Sequence, residues 1–177
     1  MLPHKGIKEL IEAFSLLKNK QNNVRLLLVN AIYPNPISDE YVLECKKIID
    51  ELSINEDVTM INDFLSDDDS FAYLDEADIL VMPYRDTQES ASGAIRYAIS
   101  TNKPVVCTPI AIFNDVSDIV HFTKDSSSKS IAQKLEELLK DKKLLSSKED
   151  IQKEWIDSHD WQEISQRLAH IITNEIL

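Results

Sequence analysis

One stretch carries residue types at a spacing that suggests chemistry: "PYRDTQESASGAIRYAIS", residues 83–100, between the apolar runs "DILVM" and "PVVCT". A strand gives way to a helix there. A single glutamate, Glu89, precedes four small residues, Ser90, Ala91, Ser92 and Gly93. The first turn of a helix has unpaired N–H groups and the positive end of the helix dipole, so it can hold an anion. Small side chains let a phosphate reach those amides. Glu89 would repel a phosphate lying on it, and suits neutral hydroxyls beside the phosphate. A diphosphate joined to a polyol has that shape, and a nucleotide sugar is the plainest example. Helix capping by Ser90 or Ser92, with Glu89 favouring the dipole, explains the same pattern. Spacing alone leaves both readings open.

Other reactive side chains form no comparable group. Cys45 and Cys107 sit in apolar settings without metal-ligand spacing and read as reduced core thiols. His4, His121, His159 and His170 are scattered, although His4 adjoins Lys5 and could face a phosphate site. "SDDDS" at Ser66–Ser70 suggests an acidic first helical turn before it suggests a divalent-ion site. Arg85 and Arg96 flank the small-residue turn, as phosphate partners or as surface ion-pair partners. Trp155 and Trp161 read as packing residues of the tail.

The elements that must position these residues follow from periodicity. Ile7, Leu10, Ile11, Phe14 and Leu17 recur at helical spacing, predicting a helix over Lys5–Lys20. Strands are predicted at Val24–Val29, Val58–Ile61, "DILVMP", "PVVCT" and Ile119–Phe122. Between them fall a helix capped by Ser38, a helix Asp67–Glu76 capped by Ser66, and a helix Ala91–Ser100. From Ser128 the tail is helical, with breaks near Asp141–Ser147 and Asp157–Asp160. Apolar strands alternating with helices predict a doubly wound, Rossmann-like α/β fold with one parallel sheet and a helical C-terminal tail. In such sheets ligands bind beyond the carboxyl ends of the strands, where residues 83–93 lie.

Composition sets the outer bounds. The 177 residues suit a single domain, 1–177, and 43% hydrophobic with 28% charged residues is an ordinary globular profile. A net charge of −12 argues against a general nucleic-acid surface. No apolar run is long enough to span a bilayer and no signal peptide opens the chain, so a cytoplasmic location is expected.

Four segments carry a resemblance. "LPHKGIKELIEAFSLL" resembles a Lys-Gly followed by an "LIxAFxLL" helix, and "EADILVMPY" resembles "YxxADxFVxPS". "ESASGAIRYAISTNKPVVCT" resembles "ExFGxxxLEAMAxGxPVVxT", and "HDWQEISQRLAHII" resembles a closing "SWxxxAxxLxxxY" helix. In this order they resemble the C-terminal, donor-binding half of a family 4 (group 1) glycosyltransferase of the GT-B architecture. The resemblance implies transfer of a sugar from a nucleotide sugar to a glycan or lipid-linked acceptor, with retention, without a metal and without a further cofactor. It places Lys5 on the donor diphosphate and Glu89, first of a Glu-x7-Glu motif, on the donor sugar. It places the amides of Ser90, Ala91, Ser92 and Gly93 on phosphate. The second motif glutamate, which holds the ribose, falls on Tyr97, and a tyrosine lacks the charge-assisted pair. "VNAIY" at Val29–Tyr33 and Asn62 stand where the family has glycines. The resemblance also implies an N-terminal acceptor domain and, directly ahead of the segment matching Leu2–Gly6, a first strand near the middle of the sheet. It leaves any membrane association to that longer protein, and the isolated chain is expected to be inactive. The alternative is a non-catalytic glycosyltransferase-like module that binds a nucleotide or a partner.

Overall fold

The computed structural model describes residues 1–176. Pro3–Lys5 form a 3-10 turn, and helix α1 runs over Ile7–Lys18. Then come β1 (Leu26–Val29), α2 (Pro36–Glu51), β2 (Val58–Ile61) and α3 (Asp67–Glu76). β3 (Leu80–Met82), α4 (Gly93–Ser100), β4 (Val105–Cys107) and β5 (His121–Phe122) follow, with a 3-10 segment at Ala111–Val116 before β5. The tail comprises α5 (Ser128–Lys140), α6 (Lys142–Leu145), α7 (Glu149–Ser158) and α8 (Trp161–Ile171), ending in a π turn at Ile172–Ile176. The alternation of strand and helix is the predicted one, with most boundaries drawn in by one to four residues.

Two local expectations change. The cap of α2 is Asn35, whose side chain accepts from the Ile37 amide, with Pro36 in the first turn. Proline there has a preset φ and lacks only an N–H that would go unpaired. Ser38 is instead fully buried, accepting from the Tyr33 amide and donating to the Met1 carbonyl. α4 begins at Gly93 rather than Ala91, which leaves residues 90–92 outside the helix, with Ser92 extended just ahead of it. Ser66 caps α3 as expected, accepting from the Asp69 amide.

All strand pairing is parallel, but the strands form two groups, β1–β2 and β3–β4–β5, rather than one hydrogen-bonded sheet. The side-chain period of two explains how the second group is covered. Val81 and Val106 face one core with α1, α2 and α5, whereas Leu80, Met82, Val105 and Cys107 face another with α4 and the Ala111–Val116 segment. Leu28 of β1 joins the first core, so that core reaches both strand groups. The first six residues also link them. The Met1 nitrogen donates to the Ala31 carbonyl beyond β1, and the His4 carbonyl accepts from the Arg85 amide beyond β3 at 2.8 Å.

Candidate functional site

The site begins with a backbone constraint. Gly6 lies in the left-handed region at φ 68°, between the 3-10 turn and α1. A Cβ there would stand 1.8 Å from the Pro83 carbonyl oxygen. Together with the His4–Arg85 hydrogen bond, this close approach locks residues 3–6 against residues 83–85. The side chains of His4 and Lys5 therefore leave a fixed stretch of backbone at the carboxyl end of β3.

Both side chains reach Glu89. The Lys5 ammonium donates to Glu89 Oε2 at 3.1 Å, and His4 Nε2 stands 3.3 Å from Oε1. The Lys5 hydrogen bond holds the Glu89 carboxyl below its usual range, with the nearby charges of Lys5 and His4 adding to the effect. Beneath them lies Tyr84, 5% exposed, with the Lys5 ammonium 4.1 Å from its ring centroid and the His4 ring edge-on to it. The Tyr84 hydroxyl accepts from Ser92 Oγ at 3.3 Å, so one buried ring joins Lys5 to the residue that precedes α4. The structure thus brings Lys5, Glu89 and Ser92 together, although 84 positions separate the first two.

The small-residue turn is open to solvent except at Ser92. Ser92 makes no side-chain cap bond to α4, so the capping explanation fails for the residue placed to provide it. Among the described residues, the amides of Ser90, Ala91, Ser92 and Gly93 have no hydrogen-bond partner. Gly93 does not have a positive φ, and a Cβ on it would meet nothing within 4 Å. Backbone geometry therefore does not demand glycine at this position, and free space lies in front of it.

Tyr97, one turn further along α4, is engaged elsewhere. Its hydroxyl donates to Asp67 Oδ1 at 2.8 Å, and its ring stacks on Phe71 at 5.3 Å. The bond to Asp67 raises the Tyr97 hydroxyl above its usual range. Sequence reasoning placed Asp67 only in a helical first turn. The pair joins the start of α3 to α4 and had no sequence signal.

Arg85 pairs with Glu9 at 3.5 Å and Arg96 with Asp115, so neither reaches the Lys5–Glu89 group. Cys45 and Cys107 are fully buried, and burial pushes both thiols up, Cys45 to about 11. Trp155 stacks on His159 beneath Arg96, as a packing residue should. Trp161 overturns its expectation: it is 86% exposed. Cavities of about 380 Å³ between α1 and α5 and about 420 Å³ beside α7, the latter lined in part by Trp155, include none of Lys5, Glu89–Gly93 and Tyr97. Among the described residues no three His, Cys, Asp or Glu side chains converge as a metal cage, and no helix is long and apolar enough to cross a membrane.

Residues 1–155 match the family model described as glycosyl transferases group 1. No curated protein sequence matches the chain. Among solved structures, HepE of Anabaena, in complex with UDP, aligns with TM-score 0.82 at 19% identity over 97% of this chain and 46% of that one. Sucrose-phosphate synthase of Thermosynechococcus elongatus aligns with TM-score 0.80 at 15% identity, over 98% of this chain and 43% of that one. The C-terminal domain of a group 1 family glycosyl transferase (LpcC) of Francisella tularensis aligns with TM-score 0.75 at 16% identity, over 90% of this chain and 81% of that one. At such identities the likeness is one of fold. The chain spans less than half the length of the HepE and synthase chains.

Proposed function

Because the chain belongs to the group 1 glycosyl transferases and has the fold of the C-terminal half of a GT-B enzyme, we propose that it forms the donor-binding half of a nucleotide-sugar-dependent transferase. The observation that carries this reading is the meeting of Lys5 and Glu89 beside the unpartnered amides that lead into α4. HepE, of like fold, has been solved with UDP and with UDP and glucose, and the same ligand class suits this arrangement. A nucleoside diphosphate takes the amides of Ser90–Gly93 and the Lys5 ammonium. Glu89 accepts from the hydroxyls of the donor sugar, and the Tyr97 hydroxyl serves the ribose only by giving up its bond to Asp67.

In the transfer step the glycosidic bond to the diphosphate breaks and negative charge grows on the departing phosphate. Lys5 and the fixed amides stabilise that charge where it develops, which is electrostatic catalysis of the leaving group. The sugar passes with retention to a glycan or lipid-linked acceptor in polysaccharide synthesis on the cytoplasmic side. The acceptor is held by a domain outside residues 1–177. A strand from outside these residues, set between β1 and β3, would join the two strand groups into one sheet. Alone, the chain binds donor without transferring it.

Thermal melting with and without nucleoside diphosphates tests the reading. A binding ligand raises the Tm by linkage. Lys5→Ala is expected to abolish that rise while lowering the Tm of the free protein by no more than a few degrees. An equal rise in the variant and the parent would remove Lys5 from the site. The second reading, a non-catalytic module, is favoured by the commitment of Tyr97 to Asp67. It predicts nucleotide binding with no sensitivity to an attached sugar.

A further inference from the structure

His4 is drawn into the site by contacts that the donor-binding reading leaves unexplained. Its carbonyl is fixed by the Arg85 amide, and its ring is set edge-on to Tyr84, with centroids 6.4 Å apart and planes at 82°. Nε2 is closed off from solvent and makes no hydrogen bond of good geometry, yet stands 3.3 Å from Glu89 Oε1. The titratable groups facing the imidazole are Glu89, Tyr84 and, on the same turn, Lys5. Each oxygen of Glu89 thus has its own nitrogen, Oε1 that of His4 and Oε2 that of Lys5.

We propose that His4 is a positioning residue for Glu89, holding the carboxylate through Oε1 when Lys5 turns to the donor diphosphate. The inference rests on the donor-site reading. A diphosphate carries more negative charge than one carboxylate, so it draws the Lys5 ammonium off Oε2. Glu89 then faces a nearby phosphate without its main partner, and repulsion would turn it away. His4 Nε2 is the other nitrogen within reach of the carboxylate, and a small closure from 3.3 Å lets its N–H complete a hydrogen bond to Oε1. Oε2, freed by Lys5, is the oxygen offered to the sugar hydroxyls. The hand-over frees the ammonium for phosphate while the carboxylate stays aimed at the sugar.

Calorimetry with a panel of nucleoside diphosphates and their hexose conjugates tests this on the chain itself. In His4→Leu, the affinity for the preferred nucleoside diphosphate should stay within about twofold, whereas its hexose conjugate should bind about tenfold more weakly. His4→Gln keeps an N–H near the position of Nε2 and should recover most of that loss. In the Glu89→Gln protein, His4→Leu should have no further effect, because the two residues act as one unit. Equal weakening of both ligands, no weakening of either, or an undiminished effect of His4→Leu in Glu89→Gln would each overturn the inference and leave the donor site standing. Failure of the parent chain to bind any nucleoside diphosphate would remove the donor site, and the inference with it.

Discussion

The two glycines of the chain answer different constraints, and the contrast can be measured. Gly6 is required by the backbone: its φ is 68°, and a Cβ would press into the Pro83 carbonyl. Gly6→Ala should therefore cost roughly 3 kcal/mol or more, because main chain must move. Denaturant melts should show a clear fall in midpoint, and an unchanged midpoint would mean that the 3–6 and 83–85 segments are loosely joined. Gly93 lacks any such requirement. Gly93→Ala should hold or slightly raise stability, by up to about 1 kcal/mol, since alanine loses less entropy on folding. The same change should weaken nucleoside diphosphate binding about tenfold, because its methyl group fills the space in front of the amides. Glu89→Gln should separate sugar from nucleotide: charged hydrogen bonds are worth about 1.5–3 kcal/mol each. Transfer by a longer protein containing this chain should fall about ten- to a hundredfold, with nucleoside diphosphate affinity level or improved. Full activity in that variant would leave Glu89 as a residue that only favours the helix dipole.

At the scale of elements, α4 carries the candidate amides and depends on the tail for its far end. Gln152 of α7 is 1% exposed, and its Nε2 donates to the Ile99 carbonyl at 3.0 Å and the Lys103 carbonyl at 3.1 Å. Gln152→Leu should cost roughly 1–3 kcal/mol by removing both bonds, although the Ile99 carbonyl keeps the Asn102 amide at 2.9 Å, and hydrogen exchange should quicken at the end of α4. Exchange unchanged there would mean that α4 is held by its apolar face alone. This contact was invisible in the sequence, since nothing about one glutamine in an amphipathic tail names its partner. The strands were legible because "LLLV" and "VVC" are apolar through their length, as burial on both faces demands. The break between β1 and β3 was not legible from periodicity, because apolar pattern marks a strand and is silent on its neighbour; only the resemblance set a further strand near the middle of the sheet. Trp161 shows the same limit: a large aromatic in a helical tail reads as a packing residue, but its sequence does not show whether anything covers it. Lys5 and Glu89 were paired beforehand only through family resemblance, as no spacing rule connects residues so far apart. His4 and Tyr84 completed the site once the structure placed the opening turn against residues 83–85.

At the scale of the whole molecule, two strand groups without a shared ladder raise the question of whether the chain opens as one unit. The distribution of its cores argues that it does. The first core takes Leu28 from β1 and Val106 from β4, and it is closed by α1, α2 and α5. Apolar contact therefore crosses the gap that backbone hydrogen bonds do not. The chain supplies its own probes, because Cys45 lies in this first core and Cys107 in the second. Both are fully buried, with thiols pushed upward by burial, so little thiolate exists in the folded protein near pH 8. Native protein should resist a thiol reagent at that pH, and both cysteines should become reactive over the same denaturant range. Peptide mapping after pulse labelling distinguishes the two sites. A single transition follows from a core that both groups share, since losing either side exposes the apolar surface of the other. Labelling of Cys45 at a markedly lower denaturant concentration than Cys107 would show that the β1–β2 half opens first. In that case the first core joins the groups too weakly to hold them together.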